Sequence, residues 1–254
     1  MTSVALALAV MMTPFGETVT PENAWREYPR PQMVRSNWTC LNGEWDWAIT
    51  LTTNTCGRPK TWQGKILVPF AIESALSGVG RKLEPNEYLW YARKIQVEKK
   101  GGGGEGNGER ILLHFDGVDY RAQVFIGHSE VTDVPHDGGQ TPFTLDITDF
   151  VKPGENELTV CVWDPTEDFL QSRGKQCFDP HLCFYTRVSG IWQSVWMERV
   201  PEKHIKGYKV VPDIDNSTVR FDFNLVGEGE VAVKVDGLSS DQPTSRPCRG
   251  DSDS

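Results

Sequence analysis

The chain has little positive charge to spare. Against 26 Lys and Arg stand 35 Asp and Glu, for a formal net charge of −9. Phosphate backbones are bound by basic surfaces, so this balance argues against a nucleic-acid partner. No apolar run approaches the ~20 residues that a membrane-spanning helix needs, so no such span is expected. The five histidines are scattered and no Gly-x-Ser-x-Gly elbow is present, so no Ser-His-Asp set is suggested. Gly101 to Gly108 (GGGGEGNG) is rich in glycine, but no Lys-Ser or Lys-Thr follows and no helix opens there. It reads as a flexible hairpin loop rather than a phosphate loop. The six cysteines match no strong zinc spacing. Cys161, in the alternating LTVCVWD, reads as a buried thiol. Cys177 and Cys183 bracket CFDPHLC, where a small disulfide, a metal site with His181 and free thiols are all open; free thiols are favoured. Neither a cofactor nor a metal is expected.

The 254 residues allow one large domain, or one domain and a smaller one. Val4 to Met12 (VALALAVMM) fits the h-region of a weak signal segment and equally a start that packs nowhere, and residues 1–22 are set apart as a leader. The compartment is not fixed by this, with secretion favoured over the cytoplasm. Pro29 and Pro31 then forbid regular helix in PENAWREYPRPQMVRS and favour an extended arm. Strand patterns follow. Trp45 and Trp47 alternate with Glu44 and Asp46, and Ile66 to Val68 is short and apolar. In Glu87 to Val97, residues Leu89, Tyr91, Ile95 and Val97 share one face. Ile111 to Phe115 leads into an Asp116-Gly117 turn, with a return strand carried by Val118, Tyr120, Ala122, Val124 and Ile126. Phe143, Leu145 and Ile147 alternate next, and Pro153-Gly154 turns the chain into Leu158, Val160 and Val162. Ile191 to Met197 is apolar on both faces, as suits a central strand. With roughly eight strands and few helix signals, the chain reads as all-β, a jelly-roll β-sandwich. HIKGYKVVPDI, TVRFDFNLV and GEVAVKVDG read as three further strands, too few for an immunoglobulin-like sandwich, which needs about seven. From Leu238 the chain is polar and reads as disordered.

Glycoside hydrolysis usually employs two carboxyl groups about 5 to 9.5 Å apart. Asp116 with Asp119, Glu84 with Glu87, and Asp164 with Glu167 and Asp168 are such pairs, but all sit in turns or at strand ends, where acids serve solvation and capping. They are read as structural, and no catalytic residue is assigned. Sugar binding is better supported, because sugar sites pair an aromatic face with polar side chains that take hydroxyls. Of the nine tryptophans, Trp45, Trp47, Trp163 and Trp196 have strand spacing and are read as core. Loop residues are the better candidates. The long loop from Thr166 to Ser189 contributes Arg173, Lys175, Gln176, Phe184 and Tyr185. The shorter loop from Val134 to Gln140 contributes His136.

The segments EYPRPQMVR, LNGEWDWAI, VPFAIESALSGV, LWYARK, FDGVDYRAQVFIG, PHDGGQTPFTLDIT, RGKQ and VSGIWQSVW occur in order between about Trp25 and Val235. Together they resemble the N-terminal sugar-binding domain of glycoside hydrolase family 2, the β-galactosidase and β-glucuronidase family. The resemblance implies a galactose-binding-like jelly roll over 23–200, an incomplete immunoglobulin-like sandwich over 203–237 and a tail over 238–254. In that family both catalytic glutamates lie in a later (β/α)8 barrel, so this chain is expected to be the non-catalytic portion of a β-glycosidase. Its expected partners are a β-linked oligosaccharide or glycoside and the catalytic barrel. The familiar branches place an Asp six residues before the Gly of the Ser-Gly-Ile motif; here that position is Phe184, which offers a stacking face instead of an acceptor. A stand-alone carbohydrate-binding module is the alternative. A further one is an adhesion ligand acting through Arg249-Gly250-Asp251.

Overall fold

The computed structural model describes residues 12–52, 57–98 and 108–234. Most of the leader, the Gly-rich loop up to 107 and the tail with Arg249-Gly250-Asp251 lie outside the described residues. The chain divides into two compact units, one made of residues 1–100 and 111–198, the other of 101–110 and 199–254.

The strands of the first unit are, in chain order, β1 (Trp38–Cys40), β2 (Gly43–Leu51), β3 (Gly64–Val68), β4 (Glu87–Val97), β5 (Glu109–Phe115), β6 (Val118–Asp119), β7 (Arg121–Ile126) and β8 (Ser129–Glu130). There follow β9 (His136–Asp137), β10 (Phe143–Asp146), β11 (Gly154–Trp163), β12 (Gln176–Cys177), β13 (Tyr185–Thr186), β14 (Gly190–Ile191) and β15 (Val195–Pro201). A smaller sheet has the order β1-β15-β5-β10, and a larger one the order β3-β2-β4-β11-β7-β8, with β9 added on β7. From β4 onward the principal strands alternate between these sheets, and that crossing makes a jelly-roll β-sandwich.

Alternation explains the core. On β4, Leu89, Tyr91, Ile95 and Val97 are buried as the pattern requires, and Val160 and Val162 of β11 lie beside them. Leu113 and Phe115 of β5 and Val195 and Met197 of β15 join the same cluster from the smaller sheet. Trp45 is buried, its indole N–H donating to the Leu41 carbonyl at 2.8 Å. Asn42 is wholly buried; its amide donates to the Trp25 carbonyl and to Ser194 Oγ, and its Oδ1 accepts the Val195 N–H. Gly43 follows with φ +120° and the Pro21 carbonyl where a Cβ would point, so LNGEW is a fitted corner.

The Pro-rich arm forms no helix or strand between residues 26 and 35. It lies on side chains of the smaller sheet. Arg35 pairs with Glu198 at 2.8 Å, and the Arg30 guanidinium stands over Trp196 at 4.9 Å. Beneath it His114 stacks on Trp196 with ring centroids 3.9 Å apart.

Three local expectations are corrected. The return strand after Asp116-Gly117 does not pair with β5, because β6 pairs with β14 and β7 with β11. β4 and β5, on either side of the Gly-rich segment, belong to different sheets and do not pair with each other, while the loop expected at 101–108 lies outside the described residues up to 107. Which sheet each strand joins is a long-range choice that turn chemistry does not encode. The apolar run from Ile191 to Met197 is split into β14 and β15, and β15 is an interior strand as expected.

In the second unit, β16 (His204–Asp213) and β17 (Thr218–Val226) pair antiparallel. The third strand expected at Gly229 does not form among the described residues, where 230–234 carry no regular structure. Gly-Glu-Gly-Glu at 227–230 breaks the alternation just before it, and Gly227 has φ +80°.

Candidate functional site

Residues 164–189 leave the end of β11 and return at β14. One carboxylate closes this excursion at both ends. Asp164 Oδ1 accepts the Thr166 N–H at 2.9 Å and the Gln171 amide at 2.8 Å, while Oδ2 accepts the Ser189 hydroxyl at 2.6 Å. Inside the loop, β12 and β13 pair in parallel, Gln176 opposite Tyr185. The Glu167 carboxylate accepts the Phe178 N–H at 2.8 Å, and the Cys177 thiol donates to the Tyr185 carbonyl at 3.7 Å. Cys177 is buried and Cys183 exposed, and both are free thiols.

Below the loop lies a buried polar cluster that sequence reasoning missed. Arg187 is fully buried, with its guanidinium 4.1 Å from the Phe178 ring centroid and 3.7 Å from Glu73. Glu73 accepts the Ser189 N–H at 2.9 Å, and burial raises its pKa above the usual carboxylate range. Asp119 is also buried, against the Gly139 backbone, where any Cβ would collide with the carboxylate. Its pKa is pushed up to about 7, first by burial and then by the nearby Asp164 charge. Of the two structural roles expected of these acids, solvation does not hold for Asp119, Asp164 and Glu87, which are buried. Capping does hold for Asp164, which accepts the Thr166 N–H, and for Glu87, which accepts the Glu84 N–H at 3.0 Å and pairs with Arg81 at 2.5 Å. The four cluster members come from residues 73, 119, 164 and 187. No local pattern announces such an assembly; the one available signal is the Arg inside an otherwise apolar strand approach, TRVSGIW.

An acid raised to about 7 beside a second carboxylate resembles a general acid–base pair. The geometry denies it that work. Asp119 and Asp164 are 4% and 1% exposed, and four donors, from Thr166, Gln171 and Ser189, already fill Asp164. No substrate oxygen can reach either group. The cluster is a foundation for the loops above it.

Two loops converge on that foundation. The first is 164–189, through Ser189, which donates to Asp164, and through Gln176, whose side chain is near enough to Asp119 to act against the rise in its pKa. The second is 134–141, through Gly139, whose carbonyl also accepts the Trp192 indole N–H at 2.6 Å. The expected site residues are distributed over these loops as follows. Phe184 and Tyr185 are exposed, and the Phe184 ring stacks on His181 at 5.2 Å. Arg173 donates to the Gln176 carbonyl at 2.5 Å and faces Glu167 at 3.5 Å. Lys175 is exposed, and its carbonyl accepts the Tyr185 N–H. Gln176 is buried, and its Oε1 accepts the Val188 N–H at 2.6 Å. His136 is in the other loop, with Nε2 3.1 Å from the Thr141 carbonyl and its ring stacked on Phe143. The five residues from 173 to 185 thus share one loop, on which Lys175, Phe184 and Tyr185 are exposed together with the acids Glu167, Asp168 and Asp179. Among the described residues, no group of His, Cys, Asp and Glu is arranged to hold a metal ion, and no helix is long and apolar enough to cross a membrane.

Comparison with known proteins gives a consistent result. A family model described as glycosyl hydrolases family 2, sugar binding domain, matches residues 68–201. A β-galactosidase of Thermoanaerobacter pseudethanolicus is 29% identical over 144 residues, covering 56% of this chain and 18% of that protein. A putative β-glucuronidase of Formosa agariphila is 27% identical over 164 residues, covering 57% of this chain and 18% of the relative. The chain thus spans about a fifth of the length of these relatives. Among solved structures, a β-glucuronidase of an uncultured Clostridium sp. superposes with a TM-score of 0.58 at 21% identity, covering 77% of this chain and 35% of that one.

Proposed function

The chain belongs to glycoside hydrolase family 2, and from that premise we propose that it is the non-catalytic, carbohydrate-positioning portion of a β-glycosidase. It acts with a catalytic barrel that supplies both glutamates, on a β-linked oligosaccharide or glycoside. One observation carries the reading. The loop 164–189 lies within the matched residues, is locked at both ends by the buried Asp164, and turns Phe184 and Tyr185 outward. A loop fixed at its base and aromatic at its surface is suited to hold a pyranose face.

The domain limits follow the same reading: a leader over 1–22, the sugar-binding jelly roll over 23–200, part of an immunoglobulin-like sandwich over 203–237 and a tail over 238–254. Phe184 stands where the galactosidase and glucuronidase branches use Asp, so the sugar is held by stacking at this point rather than through a hydroxyl. Arg173 and Lys175 supply polar contacts beside it.

The chain by itself is expected to hydrolyse neither p-nitrophenyl β-D-galactoside nor the corresponding β-D-glucuronide. Turnover by the purified chain, proportional to its concentration and surviving further purification, would falsify the non-catalytic assignment.

A further inference from the structure

Away from the loop tip, the first unit carries a shallow cleft of about 310 Å³ on the outer face of its larger sheet. Tyr88 of β4, Cys161 and Trp163 of β11, and Arg121 and Gln123 of β7 line it. These residues are in register across paired strands, Trp163 opposite Arg121 and Cys161 opposite Gln123. The platform is therefore backed by a continuous hydrogen-bonded ladder rather than by loops.

The side chains are held in fixed orientations. The Trp163 indole N–H donates to the Pro85 carbonyl at 2.8 Å, which satisfies the polar edge of the half-buried ring and fixes its orientation. Phe169, 42% exposed, meets Trp163 at 5.4 Å between centroids and Tyr120 at 6.2 Å. The Arg121 guanidinium stands over both Trp163 and Phe169, at 5.5 and 5.8 Å. Asp137 grips its Nε and Nη2 at 2.6 and 2.7 Å, leaving Nη1 outside the pair. The Gln123 amide is tied to Glu130 at 2.9 Å.

This combination selects a ligand class. Aromatic rings at a cleft, here the half-buried Trp163 and Tyr88 with the exposed Phe169 beside them, favour a ligand with an apolar face, and a rim of guanidinium, amide and hydroxyl favours one with polar edges. A pyranose has both. An anion is disfavoured, because Asp137 already neutralises Arg121 and Glu130 stands beside Gln123. The volume is at the small end of the ~300–1,000 Å³ typical of ligand sites, which suits a single sugar ring.

We propose that this cleft is a second carbohydrate-contact site, taking one pyranose unit of a neutral β-linked glycan, with Trp163 as its stacking face and Arg121 and Gln123 contacting hydroxyls. The site stands on the sheet and does not depend on the loop tip binding anything.

The test uses the full chain labelled with 15N at tryptophan. The Trp163 indole resonance is identified by its loss in Trp163→Phe, and unchanged positions of the other indole resonances report an intact fold. Cellobiose and lactose are titrated, with methyl β-D-glucuronide as the anionic comparison. A saturable shift of the Trp163 resonance with cellobiose or lactose is expected. Gln123→Trp, which fills the cleft, weakens it by at least about ten-fold through steric exclusion, while Phe184→Ala leaves it within about two-fold, because the loop tip is another site. The proposal is overturned if neither disaccharide shifts this resonance saturably, or if only the glucuronide does. It is equally overturned if the shift is lost in Phe184→Ala and kept in Gln123→Trp, which would assign the binding to the loop.

Discussion

At the scale of single residues, Gly190 shows how the Ser-Gly-Ile motif is built. It has φ +85°, and a Cβ there would run into the hydroxyl of the buried Tyr91. That hydroxyl accepts the Ile191 N–H at 3.2 Å, so the glycine brings backbone and ring together. Gly190→Ala therefore meets two penalties, left-handed backbone strain of about 1 kcal/mol and overpacking of about 1–3 kcal/mol. Gly78 provides the control, since its φ is +79° and nothing lies within 4 Å of its Cβ position. Thermal unfolding should show Gly190→Ala losing at least about twice the stability that Gly78→Ala loses. Equal losses would mean that Tyr91 yields freely. Residue-level reading succeeded where burial follows alternation, as at Leu89, Tyr91 and Trp45. It missed the burial of Asp119 and Asp164, because an acid at a strand end looks the same in sequence whether it faces water or a partner distant in the chain.

At the scale of elements, the strands were legible and their partners were not. Period-two burial marked β4, β7 and β11, but the Asp116-Gly117 turn suggested a hairpin where the chain changes sheets. For the candidate site, the length of the loop and its exposed aromatics were visible in advance, whereas the carboxylate that closes it was not. Asp164→Ala removes the shared acceptor of Thr166, Gln171 and Ser189 and leaves buried donors unpaired, at a cost of about 2–4 kcal/mol. The loss should be local. Limited proteolysis with peptide mapping is expected to show earlier cleavage within 165–188, with the strands of the larger sheet still protected. Asp164→Asn keeps an acceptor oxygen and should recover much of the resistance. Unchanged cleavage in Asp164→Ala would mean that the loop is held by β12 and β13 instead.

At the scale of the whole molecule, buried groups make folding stability depend on pH in opposite directions, Asp119 and Glu73 one way and His114 the other. Asp119 has an ordinary carboxyl pKa of 3.8 when exposed and about 7 when folded, with burial the larger cause and Asp164 the next. The folded state holds its proton where the unfolded state has released it. Its contribution is thus fully present below pH ~4 and is lost as pH rises towards ~7, where the buried carboxylate must charge. His114 runs the other way. Burial against Trp196 holds it below its usual 6.5, despite Glu198 at 3.3 Å, so its contribution is present above pH ~6.5 and is lost as pH falls. Burial alone would raise Glu198, but His114 at 3.3 Å and then Arg35 at 2.8 Å outweigh it and hold its pKa below the usual carboxylate range. The Asp119 shift implies a fall on the order of 2–4 kcal/mol between pH 4 and 8, partly offset by His114 below pH ~6.5. Asp119→Asn retains the shape and removes the titration. Urea unfolding at pH 5 and pH 8 should therefore show the variant gaining on the parent chain as pH rises, because Glu73, also raised by burial, and His114 act alike in both proteins. Parallel pH profiles for the two proteins would mean that water reaches Asp119 and that the cluster under the loops is not sealed.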